Sequence, residues 1–195
     1  MAHCDKRLVL ASASPRRREL MDRFGVEYEV IPALGEETAD SGLPPEELVR
    51  ALARHKAREV DDRLGDKNAV IVAADTVVEI DGEVLGKPGT PERAAEMLSR
   101  LSGRVHRVWS GVCVRCGGIE RLHAEATAVR FRPLTDGEIA AYVATGEPLD
   151  KAGAYGYQSL ASLFVDRIEG DFFNVVGLPL CALGQMLREF DISLL

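Results

Sequence analysis

Several short stretches of this chain set phosphate-handling groups where local structure does not call for them. The segment Ser12-Ala13-Ser14-Pro15-Arg16-Arg17-Arg18 reads as the start of a helix, with Ser14 at the N-cap and Pro15 at the first helical position. A helix N-terminus carries about half a positive charge and several unpaired N–H groups, so it favours carboxylates over cations. The arginines of that first turn stand against the helix dipole. A bound anion would reverse the penalty by engaging N–H groups, serine hydroxyls and guanidinium forks together; solvated surface arginines are the plainer alternative. Lys56 poses a similar question, because Val49, Leu52, Ala53 and Val60 share one helical face and Lys56 falls within it. Either its stem lies on apolar surface with the ammonium in water, or the face ends at a cleft where the ammonium meets a phosphate. Asp75-Thr76 interrupts an apolar run, Val70–Ala74 before it and Val77-Val78 after it, at what reads as the end of a buried strand. A carboxylate there is costly unless paired or metal-bound. Ligands of α/β sheets gather beyond the carboxyl ends of strands; an aspartate capping a turn is the competing reading.

Other stretches are weaker alone. Lys87-Pro88 follows a predicted hairpin, and Glu36-Glu37 lies in the loop before a long helix; exposed lysines and acidic loops are ordinary surface. The loop from Glu147 to Gln158 joins paired charges, Tyr155, Tyr157 and several glycines, which suits either a binding loop or a polar surface loop. No GxxxxGK, GxSxG or HExxH pattern occurs, and His3, His55, His106 and His123 lack metal spacing. Phosphoryl chemistry without those motifs needs basic clamps, a carboxylate-held divalent ion and a base. The misplaced residues supply that set.

The elements that must carry these groups alternate. Arg7–Ala11 and Glu27–Ile31 read as strands, with the arginine-rich helix between them and Gly25 as its stop. A long helix runs from Pro44 to about Leu64, and Ala69–Ala74 reads as a strand buried on both faces. Thr76–Ile80 and Glu83–Leu85 form a hairpin across Asp81-Gly82. A helix follows Thr90-Pro91, a long hairpin turns at Gly117-Gly118, and Thr135 to Glu138 is a capping box. Short strands are expected near Leu163–Ile168 and Phe172–Val176, and a last helix from Pro179. The alternation predicts an α/β fold, a mixed, twisted sheet flanked by helices, in a single domain over residues 1–195.

With 195 residues, 46% of them hydrophobic, the chain can bury one substantial core. No run reaches the length of a membrane helix, and Leu8–Ala11 is too short for a signal core. A net charge of −7 argues against nucleic acid as a partner. The four cysteines fit reduced thiols in a cytoplasmic protein. Cys113 and Cys116 have CxxC spacing but lie in a strand-like run with no second ligand pair.

Taken in order, Leu10–Arg17, Glu36-Glu37, Ala53–Ala57, Ala74–Val78, Gly86-Lys87-Pro88, Tyr142–Gln158 and Asn174–Leu180 resemble the Maf (septum-formation-inhibitor-like) nucleotide pyrophosphatases over nearly the whole chain. The resemblance implies a fold related to inosine triphosphate pyrophosphatases, commonly a homodimer, and a divalent cation (Mg2+ or Mn2+). It implies hydrolysis of a nucleoside triphosphate between its α and β phosphates. By the same likeness Asp75 would be the general base, and Glu37 with Asp75 would organise the metal. Ser14, Arg17, Lys56 and Lys87 would hold phosphates, Ser12 belongs to the same catalytic set, and Arg16, Thr76 and Gln158 match base-selecting positions. The segment Gly153-Ala154-Tyr155-Gly156 resembles the branch acting on dTTP and UTP rather than the 7-methyl-GTP branch. Tyr157 and Ser159 depart from the family pattern, which expects an aliphatic residue and a glycine. Rival expectations are action on modified or purine nucleotides, and a nucleotide-binding regulator of cell division.

Overall fold

The computed structural model describes residues 6–35 and 42–195. The apolar run after Lys6 forms β1 (Arg7–Leu10), and the chain turns at once into α1 (Pro15–Asp22). A brief strand, β2 (Glu29–Val30), precedes α2 (Pro45–Leu64), which Gly65 closes in the left-handed region at φ 63°. Then come β3 (Ala69–Ile80), β4 (Glu83–Leu85) and α3 (Pro91–Leu101). Thr90 caps α3 by accepting from the Arg93 N–H, and Ala94, Met97, Leu98 and Leu101 make its buried stripe. Two long strands, β5 (Val105–Cys116) and β6 (Ile119–Phe131), flank the Gly117-Gly118 turn. The predicted capping box opens α4 (Asp136–Ala144): Thr135 Oγ1 accepts from the Glu138 N–H, and Glu138 accepts from the Thr135 N–H. Three short 3-10 turns cover Glu147–Asp150, Ala152–Ala154 and Leu160–Leu163, followed by β7 (Val165–Glu169), α5 (Phe172–Val176) and α6 (Leu180–Arg188).

Among the described residues seven strands form one sheet in the order β2-β1-β3-β5-β6-β7, with β4 on β3. β1 pairs parallel with β2 and β3, whereas β4 and β7 pair antiparallel with β3 and β6. The sheet is mixed, as the alternation predicted. The chain clusters into two compact units, Met1–Asp75 with Ser110–Glu125 and Gly177–Leu195, and Thr76–Trp109 with Ala126–Val176. In the first, Ala53, Ala57 and Val60 of α2 pack on Val9, Ile71 and Ala73. Gly111 of β5 permits that approach, since a Cβ there would stand 2.2 Å from the Val49 carbonyl oxygen. The second has its own core around Leu98, Leu101, Val129, Phe131, Tyr155 and Phe164.

Two expectations are corrected. Asp75-Thr76 does not end a strand: β3 runs unbroken for 12 residues through it, because pairing changes partner rather than stopping. Parallel pairing with β1 reaches Val72, and antiparallel pairing with β4 begins at Val78. The segment Phe172–Val176, expected as a strand, is helical. Asp171 starts it, its carboxylate accepting from the Phe173 N–H at 2.7 Å while its carbonyl takes the Thr127 hydroxyl at 2.9 Å. Cys113 is a buried strand residue whose thiol burial pushes up to about 12, and Cys116 is half-buried, as the strand reading of the pair requires.

Candidate active site

In the first unit the parallel pairing of β1 and β3 sets the candidate residues side by side. Leu10 pairs with Val72, and the Ala11 N–H donates to the Val72 carbonyl at 2.8 Å. Ser12 thus lies two residues beyond Leu10, the last paired residue of β1, and Asp75 three beyond its partner Val72 on β3. Both are buried, each 6% exposed. The Ser12 hydroxyl oxygen accepts from the Ser14 N–H at 3.2 Å and from Arg17 Nη1 at 3.3 Å. Arg17 also donates through Nε to the Gly177 carbonyl at 2.8 Å. This guanidinium is therefore turned back toward the end of β1. Ser14 occupies the N-cap but its side chain does not cap, and no acidic residue sits in the first turn of α1. The arginines so face the helix dipole with no acidic residue in that turn to offset it. Arg16 and Arg17 are half-buried, and Arg18 is exposed.

Lys56 has a partner that neither reading named. On a helix, residues three and four apart share a face, and Ala53 and Ala57 hold that face against the sheet. From there the Lys56 ammonium donates to Asp75 Oδ1 at 2.5 Å, with side chains 16% and 9% exposed. It does not snorkel to water. Asp75 is correspondingly not an unpaired buried carboxylate, the condition the sequence suggested in the absence of metal. A desolvated pair of this kind is strongly sensitive to losing one partner.

In the second unit Thr76 continues β3 half-buried, and Lys87 is exposed in the loop after β4. That loop is stitched on both sides of Lys87-Pro88 to the segment leading to Gln158. The Gly153 N–H donates to the Gly86 carbonyl at 3.1 Å, and the Gly89 N–H to the Leu149 carbonyl at 3.3 Å. Gly153 has φ 65°, and a Cβ there would stand 2.7 Å from Val78 Cγ2, so both conformation and space demand glycine. Gln158 is exposed in the turn beyond it. Beneath lies a residue that motif reasoning passed over: His106, 2% exposed, its Nε2 at 2.8 Å from the Tyr155 hydroxyl and its ring edge-on to Phe131. Burial lowers its pKa to about 4, so it is neutral near pH 7. A signal existed in the alternation of β5, which puts His106 on the buried face with Val108.

A divalent cation of the Mg2+ class takes oxygen ligands and binds through one or two carboxylates plus substrate phosphates. Asp75 provides one such carboxylate, and the donor chemistry fits. Glu37, expected to contribute, lies outside the described residues, as does Glu36. Among the described residues no group of three or more His, Cys, Asp or Glu side chains is arranged to hold a metal. No helix among them is long and apolar enough to cross a membrane.

The profile of a family described as Maf-like protein matches residues 7–190. The chain is 53% identical over 173 residues to a dTTP/UTP pyrophosphatase of Thermococcus kodakarensis, covering 89% of this chain and 91% of that protein. It is 52% identical over 189 residues to one of Moorella thermoacetica, covering 96% of each. A third, from Caldicellulosiruptor bescii, is 46% identical over 194 residues, covering 97% of this chain and 98% of the relative. Among solved structures the Staphylococcus aureus Ham1 protein is similar at TM-score 0.47 and 16% identity, covering 65% of this chain and 72% of that one, too slight a likeness to carry weight.

Proposed function

Because the chain belongs to the Maf-like protein family, we propose that it hydrolyses dTTP and UTP to the monophosphate and pyrophosphate. The observation that carries this reading is the near full-length identity to relatives named dTTP/UTP pyrophosphatases. The desolvated Lys56–Asp75 pair supports it, since it sets a carboxylate and a cation at the edge of a parallel strand pair. Asp75 is the general base that takes a proton from the attacking water. Ser12, Ser14, Arg17, Lys56 and Lys87 hold the phosphates, spreading the negative charge that develops as the α–β bond breaks. Arriving phosphate oxygens share the Lys56 ammonium, which loosens its hold on Asp75 and frees that carboxylate to act as a base. Arg16, Thr76 and Gln158 select the base. Asp75 with Glu37 would hold a divalent cation, Mg2+ or Mn2+, which when bound supplies Lewis-acid neutralisation of the triphosphate.

The same reading makes the whole chain one functional domain, a homodimer, acting in the cytoplasm on free nucleotides and not on nucleic acid or membranes. Cys113, Cys116 and Cys181, none in a disulfide, support the cytoplasmic reading, and the net charge of −7 supports the exclusion of nucleic acid. A substrate panel tests the specificity. Pyrophosphate release is measured with dTTP, UTP, modified pyrimidine triphosphates, purine triphosphates and 7-methyl-GTP. The highest kcat/KM is expected for dTTP and UTP. A preference for 7-methyl-GTP or purines would overturn the pyrimidine assignment, and no turnover of any nucleotide would favour a binding regulator.

A further inference from the structure

The turn Gly156–Ser159, which carries Gln158, is held at both ends by one carboxylate. At its start the Gly156 N–H donates to Tyr142 Oη at 3.3 Å, and the Tyr142 hydroxyl donates to Glu147 Oε1 at 2.7 Å. At its end the Ser159 hydroxyl donates to the same Oε1 in a short hydrogen bond. The Ser159 N–H closes the turn on the Gly156 carbonyl at 3.3 Å. Tyr142 is buried, and its hydroxyl pKa is pushed up by that burial and then by the Glu147 hydrogen bond, so the phenol remains a donor. The backbone of Glu147 is anchored too, its carbonyl accepting from Lys151 Nζ at 2.6 Å. The Lys151 stem fills the space over Gly156, where a Cβ would come within 2.8 Å of Lys151 Cε.

We propose that Glu147 is the positioning residue of the base-selecting turn, its carboxylate fixing through Tyr142 and Ser159 where Gln158 stands. The proposal rests on the reading of Gln158 as a base contact. An exposed amide on a short turn discriminates between nucleobases only if its donor and acceptor are held in one place before the base arrives. Glu147 does this through its two hydroxyl partners. Its oxygen gathers both ends of the turn, and a neutral amide oxygen could still accept from both hydroxyls.

Steady-state kinetics on the full chain with dTTP, UTP and dATP, each with Mg2+, tests this, with thermal unfolding run alongside. Glu147→Ala is expected to raise KM for dTTP about tenfold while changing kcat less than about threefold, the signature of lost binding geometry rather than lost chemistry. Its preference for dTTP over dATP falls, and Glu147→Gln restores most of both. The Glu147→Ala/Gln158→Ala double variant is expected to be no less selective than Gln158→Ala alone, since the two act through one contact. Ser159→Ala, which removes one of the two hydroxyls, shifts preference in the same direction by less, and decides the matter if Glu147→Ala does not fold. The proposal is overturned if Glu147→Ala slows all nucleotides equally along with a lowered melting temperature, or if Ser159→Ala leaves preference untouched while Gln158→Ala abolishes it. A Gln158→Ala enzyme with unchanged preference would overturn the base-contact reading itself, and the proposal with it.

Discussion

In the proposed reaction Asp75 is the general base, and its setting bears directly on that role. It is buried on β3 yet held by the Lys56 ammonium, so its carboxylate has a charged partner in a place where an unpaired charge would be costly. Asp75→Asn keeps the shape but removes the basic oxygen and the charge, and should lower dTTP turnover at least about 100-fold, the lower range for losing a general base. It also leaves Lys56 half-buried beside a neutral amide, so it should lose stability by roughly 1–3 kcal/mol, smaller than for a fully desolvated pair. Thermal unfolding with and without Mg2+ measures this. Lys56→Met preserves the apolar face of α2 and should lose both turnover and stability. Adding Asp75→Asn to Lys56→Met should regain stability, because the coupled charges leave together. Additive losses would show that the two side chains do not work as a pair. Lys56 and Asp75 were both legible in the sequence as misfits. Their partnership was not, because it spans 19 positions and depends on α2 packing over parallel strands whose order no local pattern reveals.

The elements explain how those side chains are delivered. α2 can lie close on the sheet because Gly111 has no side chain. Gly111→Ala should drive a methyl into the Val49 carbonyl, push the helix outward and cost about 1–3 kcal/mol or more. Turnover should fall with stability, since Lys56 rides on the displaced helix; an unfolding midpoint unchanged from the parent would contradict this packing. Local rules served well where the signal was local: the α4 capping box, the end of α2 at Leu64 and the Gly117-Gly118 turn all stand where their residues indicated. They failed where tertiary contacts decided. An aspartate inside a strand looks like a strand end, but β3 continues by exchanging one partner for another. Phe172–Val176 has strand-like composition, but the bonds made by Asp171 turn it into a helix. The Gln158 turn was legible only as a glycine-rich loop, because the side chains that hold it come from α4 and the 3-10 turn after it.

At the scale of the whole molecule, acid should expose a group that takes no part in the chemistry. His106 is neutral in the fold with its pKa lowered by burial to about 4, whereas in the unfolded chain it titrates near 6.5. The unfolded state therefore binds more protons between those values, and stability falls as pH drops from about 6.5 toward about 4, by up to roughly 3 kcal/mol. His106→Gln should flatten that part of the pH–stability curve in urea titrations, and an unchanged curve would remove His106 as its cause. The central claim concerns the bond that is cut. Following dTTP with Mg2+ by 31P NMR distinguishes the two possible cleavages directly. This account predicts thymidine monophosphate and pyrophosphate appearing in equal amounts from the first turnover. Thymidine diphosphate and orthophosphate as the main products would contradict it.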